Sequence, residues 1–129
     1  MKIKNILEHS KKKLLNEQKK DGHWVYELEA DTTIPSEYIL MNHFLGIKED
    51  SLEKKLAVYI KKEQSPDGGW PLFWKGESNI STSVKAYYAL KIVGEKTSSK
   101  FMKKAKKKIL DLGGIENCNV FTKISLALF

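Results

Sequence analysis

The stretch QKKDGHW at Gln18–Trp24 returns as QSPDGGW at Gln64–Trp70, a Q-x-x-D-G-x-W pattern displaced by 46 residues. A repeat of that length constrains the fold more than any other feature. Each copy is one supersecondary unit that buries its apolar face only by stacking on a neighbour. Ile3 to Gln18 carries Ile3, Ile6, Leu7, Leu14 and Leu15 at roughly helical spacing with lysines between them, which predicts a first helix. Thr32, Thr33 and Pro35 form a cap-then-proline start for a second, which passes Ile39, Leu40, Phe44 and Leu45 and stops at Gly46. Ser51 is expected to cap a third, through Leu52, Leu56, Tyr59 and Ile60 to Gln64. After the second turn, Pro71 to Lys75 is short and aromatic, and Ser81 to Val93 predicts an apolar helix ended by Gly94. A fifth helix starts at Ser98 or Ser99, passes Phe101, Ala105, Ile109 and Leu110, and breaks at Gly113-Gly114; a sixth covers Val120 to Phe129.

The predicted fold is therefore all-α, an incomplete α/α-barrel (toroid) type helical-hairpin repeat with about six main helices. Residues 1–129 read as one segment with repeats of roughly 1–46, 47–94 and 95–129, the last truncated. The first helix of each pair is lysine-rich on one face and is expected outside. The second is more continuously apolar and is expected inside, buried nearly all round. Gly114 lies 46 residues after Gly68, which lies 46 after Gly22, so the third turn reads as a decayed copy that kept its glycine.

Within each turn the residue types point to structure. Aspartate bonds its own backbone, glycine supplies a positive φ, and tryptophan adds apolar area with one N–H donor. Gln18, Asp21, Gly22 and Trp24, and Gln64, Asp67, Gly68 and Trp70, are thus expected to act as clasps. In each, Gln bridges to backbone of the neighbouring repeat and Trp stacks over it.

The chain has one cysteine, Cys118, which rules out an intramolecular disulfide and fits a reducing, cytoplasmic compartment. No run approaches the roughly 20 apolar residues of a spanning helix, and the N-terminus lacks a signal-peptide core. All 23 basic residues are lysine, for a net charge of +7. Without arginine, bidentate phosphate and base recognition loses its usual instrument, so a nucleic-acid partner is not expected. Lysines crowd between Lys2 and Lys20 and between Lys96 and Lys108. They read as solvated helix faces, with attraction to an anionic membrane surface as the functional alternative.

The blocks DGHWVYELEADTTIPSEYILMNHFLG, DGGWPLFWKG, SVKAYYALKIVG and GGIENCNVFTKISLALF resemble, in order, the N-terminal portion of the squalene–hopene cyclases, and the repeated turns resemble the QW motifs of triterpene cyclases. The resemblance covers essentially the whole chain. It implies an α/α-barrel fold and an activity without metal or cofactor. An acid protonates a terminal alkene of squalene, rings close through carbocations stabilised by aromatic faces, and a proton is lost or water captured. It also implies a squalene-like hydrocarbon partner and a monotopic, peripheral seat on the membrane. The family's Asp-x-Asp-Asp acid motif is absent here, since Asp21, Asp31, Asp50, Asp67 and Asp111 are scattered. The chain is therefore expected to be a fragment or split piece, inactive alone. A non-catalytic repeat module that binds a protein partner or an anionic membrane is the second reading.

The resemblance places Thr33 and Glu37 in a polar, water-holding network, and their i, i+4 spacing puts both on one helix face. The plainer expectation makes Thr33 a cap and Glu37 a first-turn acid favoured by the helix dipole. Some family members carry an acid where Lys85 stands and a base where Asn119 stands, so that network differs here. Glu27, Glu29 and Asp31 alternate but are expected to face solvent, and His9, His23 and His43 lack metal-ligand spacing. Cys118 has no nearby histidine to activate it. Trp70, Phe73, Trp74, Tyr87 and Tyr88 fit a hydrocarbon cavity and a packed repeat equally well. The apolar Val120–Phe129 run predicts self-association.

Overall fold

The computed structural model describes residues 3–26, 31–47 and 49–129. Six α-helices follow in order: α1 (Ile3–Glu17), α2 (Thr33–Leu45), α3 (Asp50–Lys62), α4 (Ile80–Ile92), α5 (Lys100–Asp111) and α6 (Val120–Leu128), with a 3-10 turn at Ile115–Asn117 before the last. Among the described residues there is no strand, only an isolated antiparallel bridge between Pro71 and Ser78.

Helix α4 is the hub, packing against α2, α3, α5, α6 and the 3-10 turn. Its sequence explains this: Ser81, Thr82, Ser83, Ala86 and Ala89 are small enough to let neighbouring helices approach closely, and all are buried. Ile39 and Leu40 of α2, Ala57 and Ile60 of α3, and Met102 and Ala105 of α5 close around Ala86, Ala89, Leu90 and the indole of Trp70. The outer helices α3 and α5 keep most of their lysines in solvent, while Lys61 and Lys108 are half-buried in ion pairs with Glu95 and Asp67. Of the inner helices only α4 is buried nearly all round as expected; α2 leaves Ile34, Met41, Phe44 and Leu45 exposed on the side away from the core.

The two ends of the repeat also depart from the expectation. Helix α1 buries no residue, and Ile3, Ile6, Leu7, Leu14 and Leu15 are all exposed. Helix α6 buries only Thr122, because α4 and its cap are its principal support and Val120, Phe121, Ile124 and Leu128 point away from it.

Helix starts correct the sequence reading most. Ser51 does not cap α3; the helix already includes Asp50, and Asp50 and Glu53 place negative charge on its first turn. Thr33 is not a cap either but the first residue of α2, and its N–H donates to Asp31 Oδ1 at 2.8 Å. The inner helices share this asparagine-or-aspartate device. Asn79 Oδ1 accepts from the N–H groups of Ser81 (2.9 Å) and Thr82 (3.2 Å), and Asn119 Oδ1 accepts from Thr122 (2.8 Å). Each satisfies donors that a helix start otherwise leaves unpaired.

The third turn is also built differently from its supposed ancestors. Gly113 and Gly114 return their N–H groups to Leu110 and Ile109 of α5, the six-to-one and five-to-two closure that also ends α2 at Gly46 and α4 at Gly94. The Asn117 amide then donates to the Leu112 carbonyl at 3.1 Å, where a Cβ on Gly113 would collide with it.

Candidate functional site

Two constellations stand out: the paired clasps at the outer helix ends, and a polar cluster where the inner helices begin. Superposed by sequence, the clasps have the same internal wiring. Gln18 Nε2 donates to the Gly22 carbonyl and Gln64 Nε2 to that of Gly68. Trp24 Nε1 donates to the Leu14 carbonyl at 2.8 Å and Trp70 Nε1 to that of Ile60 at 2.7 Å, each ten residues back along its own outer helix. Lys19 and Ser65 donate their N–H groups to His23 and Gly69, and Gly22 and Gly68 to Lys19 and Ser65. The indole N–H thus goes to backbone of its own helix.

The second clasp is docked on a neighbouring outer helix. Gln64 Nε2 also reaches the Phe101 carbonyl at 3.2 Å, which ties the end of α3 to α5. Asp67 Oδ1 accepts from the Gly69 N–H (3.1 Å) and Ser78 Oγ (2.7 Å), while Oδ2 pairs with Lys108 Nζ at 2.9 Å. Burial pushes the Asp67 carboxyl up, but the hydrogen bonds from Lys108, Ser78 and Gly69 and the Lys108 charge outweigh it and hold the group below its ordinary value. Gly68, at φ 101°, lies so close to α5 that a Cβ would sit 2.7 Å from the Lys104 carbonyl. Trp70 is fully buried, whereas Trp24 is 43% exposed.

Just beyond the first turns of the inner helices, Glu37 of α2 and Lys85 of α4 form an ion pair across 48 residues of sequence. The Lys85 side chain is only 6% exposed, while Glu37 keeps 40% of its own in solvent. A buried ammonium without a partner is costly, so the carboxylate both compensates Lys85 and ties two inner helices together. Thr33 sits one turn before Glu37, half-buried on the same side of α2. The cluster continues through Ser81, whose Oγ accepts from the Asn119 N–H at 2.9 Å. Burial pushes the adjacent Cys118 thiol up, against the lowering pull of Ser81, Lys123 and Lys85, so it rests as a protonated, packed thiol. Asn119 itself is committed to capping α6.

The aromatic residues divide. Trp70 belongs to the core, and Tyr87 and Tyr88 pack against it half-buried. Phe73 and Trp74 are 71% and 76% exposed, on a loop flanking an open cleft of about 1290 Å³ that α2 and α3 line with Ile34, Tyr38, Leu52 and Leu56. His23 pairs with Asp21, His43 Nε2 lies 3.1 Å from Glu53 Oε2, and among the described residues no three metal-ligating side chains converge. Of the alternating carboxylates, Glu27 and Glu29 lie outside the described residues. Sequence reasoning missed the Asn79 and Asn119 caps, whose signal was an asparagine directly before each run of helical residues. It also missed the Glu37–Lys85 pairing, for which no periodicity gave a cue.

Together these features define a class: an α/α helical repeat with polar side chains gathered at the N-terminal ends of its inner helices and clasps at the C-terminal ends of its outer ones. The chain belongs to the squalene-hopene cyclase N-terminal domain family, whose profile matches residues 7–129. It is 46% identical over 128 residues to the squalene–hopene cyclase of Zymomonas mobilis, covering 98% of this chain and 20% of that protein. The squalene-hopene cyclase of Schizosaccharomyces japonicus is 50% identical over 117 residues, 90% of this chain and 18% of the relative. A dammaradiene synthase from Dryopteris crassirhizoma is 34% identical over 126 residues, 98% of this chain and 18% of the synthase. The chain spans about one-fifth of the length of these relatives. Among the described residues no helix is long and apolar enough to cross a membrane.

Proposed function

We propose that residues 1–129 are the N-terminal part of a squalene–hopene cyclase-type triterpene cyclase, acting in proton-initiated cyclisation of squalene to hopanoid-type polycycles. The observation that carries this reading is the family match over residues 7–129, joined by relatives of that name along nearly the whole chain. The acid that protonates the alkene belongs, in this reading, to a part of the enzyme outside these residues, since no Asp-x-Asp-Asp motif occurs between Met1 and Phe129. The isolated chain is accordingly inactive. The repeats 1–46, 47–94 and 95–129 form an arc of a toroid that further repeats complete, and the reaction needs neither metal nor cofactor.

Thr33 and Glu37 are the residues we assign to a water-holding network at one end of the hydrocarbon cavity. Their shared side of α2, the partial exposure of Glu37 and the fixed position that Lys85 gives its carboxylate support the assignment. Lysine-rich outer faces and the apolar faces of α6 suit a peripheral contact with a membrane surface and self-association, respectively. The test is a hybrid enzyme in which residues 1–129 replace the aligned segment of the Zymomonas relative. Glu37→Gln in that hybrid is expected to change the ratio of alcohol to alkene products, because water capture and proton loss compete there. An unchanged ratio at unchanged turnover removes Glu37 from the site.

A further inference from the structure

Helix α1 buries no residue, and the apolar side chains it leaves in solvent are not scattered. Ile3, Leu7, Ser10 and Leu14 follow one another at intervals of four, three and four residues, which sets them along a single stripe with Ile6 at its edge. Ile3 is 76% exposed and Leu7 63%. The same spacing brings Lys4 and Lys11 to one border of the stripe and Lys13 to the other. The Trp24 indole donates to the Leu14 carbonyl at 2.8 Å, so its N–H is satisfied while 43% of the residue stays in solvent. Val25 and Tyr26 beside it are exposed. Residues 3–26 carry Lys4, Lys11, Lys12, Lys13, Lys19 and Lys20 against Glu8, Glu17 and Asp21, an excess of positive charge.

Helix α5 differs. Its exposed face is as rich in lysine, but Met102, Ala105 and Ile109 on its apolar side are buried in the core, so it offers charge alone. Binding of a helix in the plane of a bilayer grows with the apolar area it inserts and with its attraction to anionic headgroups. Helix α1 offers both on adjoining sides, with a tryptophan and a tyrosine of the kind that sits at headgroup level. A second copy fits the stripe badly, because it would bring two lysine-bordered helices together.

We propose that α1 is an in-plane anchor on an anionic bilayer. Ile3, Leu7 and Leu14 enter the upper acyl chains, Lys4, Lys11 and Lys13 meet the headgroup phosphates, and Trp24 lies at the boundary. This rests on the peripheral membrane contact of the proposed function and assigns that contact to one element and to insertion, where a solvated lysine face acts by charge alone.

The test mixes the full chain with vesicles of equal parts phosphatidylglycerol and phosphatidylcholine and measures bound protein by co-sedimentation. Leu7→Gln with Leu14→Gln should weaken binding about tenfold or more, from the apolar area withdrawn. Lys11→Gln with Lys13→Gln should also weaken it about tenfold or more, as two lysines close to a charged surface do. Lys103→Gln with Lys107→Gln on α5 should change it about twofold or less, because charges held away from the surface are screened. In a Trp74→Phe chain, lipid brominated at the upper acyl positions should quench Trp24. All the substituted side chains are exposed, so circular dichroism and the urea midpoint of each variant should match the wild type. Undiminished binding by the leucine variant, or a larger loss from the α5 lysines than from Lys11 and Lys13, would overturn the anchor and leave a charge-driven contact in place. No binding to these vesicles would remove the anchor and the membrane contact together, with the cyclase reading untouched. A wild-type dimer that the leucine variant abolishes would sink the proposal by giving the stripe to a second copy.

Discussion

The indole of Trp70 donates to the carbonyl of Ile60 at 2.7 Å, a bond repeated 46 residues earlier by Trp24 and Leu14 at 2.8 Å. The geometry is the same, but the surroundings differ: Trp70 fills the centre of the core and Trp24 does not. Replacement by alanine separates bond from burial. Trp70→Ala should cost about 3–5 kcal/mol, the range for deleting a large buried aromatic. Trp24→Ala should cost about 1 kcal/mol or less. Urea unfolding followed by circular dichroism measures both, and equal losses would refute the difference in packing.

The clasp glycines give a second comparison. Both Gly22 and Gly68 have positive φ, near 95° and 101°. Alanine at Gly22 should cost about 1–2 kcal/mol for the left-handed backbone alone. Alanine at Gly68 adds a collision with the Lys104 carbonyl and should raise the loss to about 3 kcal/mol or more. A Gly68→Ala chain as stable as Gly22→Ala would mean that the turn does not lie against α5.

Asp67 makes stability depend on pH. Its folded carboxyl lies below its ordinary value, so its contribution is complete above the unfolded-state value near 4 and is lost as pH falls through the folded value. Asp67→Asn should therefore flatten the stability profile below about pH 4. The partner carries the opposite sign: the hydrogen bond to Asp67 raises the Lys108 ammonium, so its contribution fades only as pH rises through that raised value. A variant profile that keeps the wild-type acid slope would exclude Asp67 as its source.

Glu37 and Lys85 invite a double-mutant cycle. Glu37→Gln leaves the nearly buried Lys85 ammonium without its carboxylate and should cost about 1–3 kcal/mol, less than a fully buried pair because Glu37 is partly in water. Lys85→Met should be milder, and combining the two should recover part of the Glu37→Gln loss. Strictly additive effects would show that the two side chains do not interact.

Much of this fold was legible because glycine and proline punctuate it and the Q-x-x-D-G-x-W echo sets its period. The family motifs carried the rest of the fold assignment. Helix starts were harder. Ser51 looks like a cap, yet α3 begins before it, while Asn79 and Asn119 do the capping without the serine-or-threonine signal that drew attention. The third turn misled because a glycine at the right distance can close a helix as readily as it can form a clasp, and Gly113 does the former. The Glu37–Lys85 pair depends on the crossing of α2 and α4, which residue spacing within one helix does not encode. Docking was equally hidden: Gln18 and Gln64 are the same letter in the same motif, yet among the described residues it is Gln64 that reaches α5.

The most direct measurement of the functional account is squalene conversion by the isolated chain and by the Zymomonas hybrid, analysed side by side by gas chromatography with folding checked by circular dichroism. The account predicts polycyclic triterpene from the hybrid and none from residues 1–129 alone. A folded hybrid that leaves squalene untouched, or an isolated chain that cyclises it, would contradict the account.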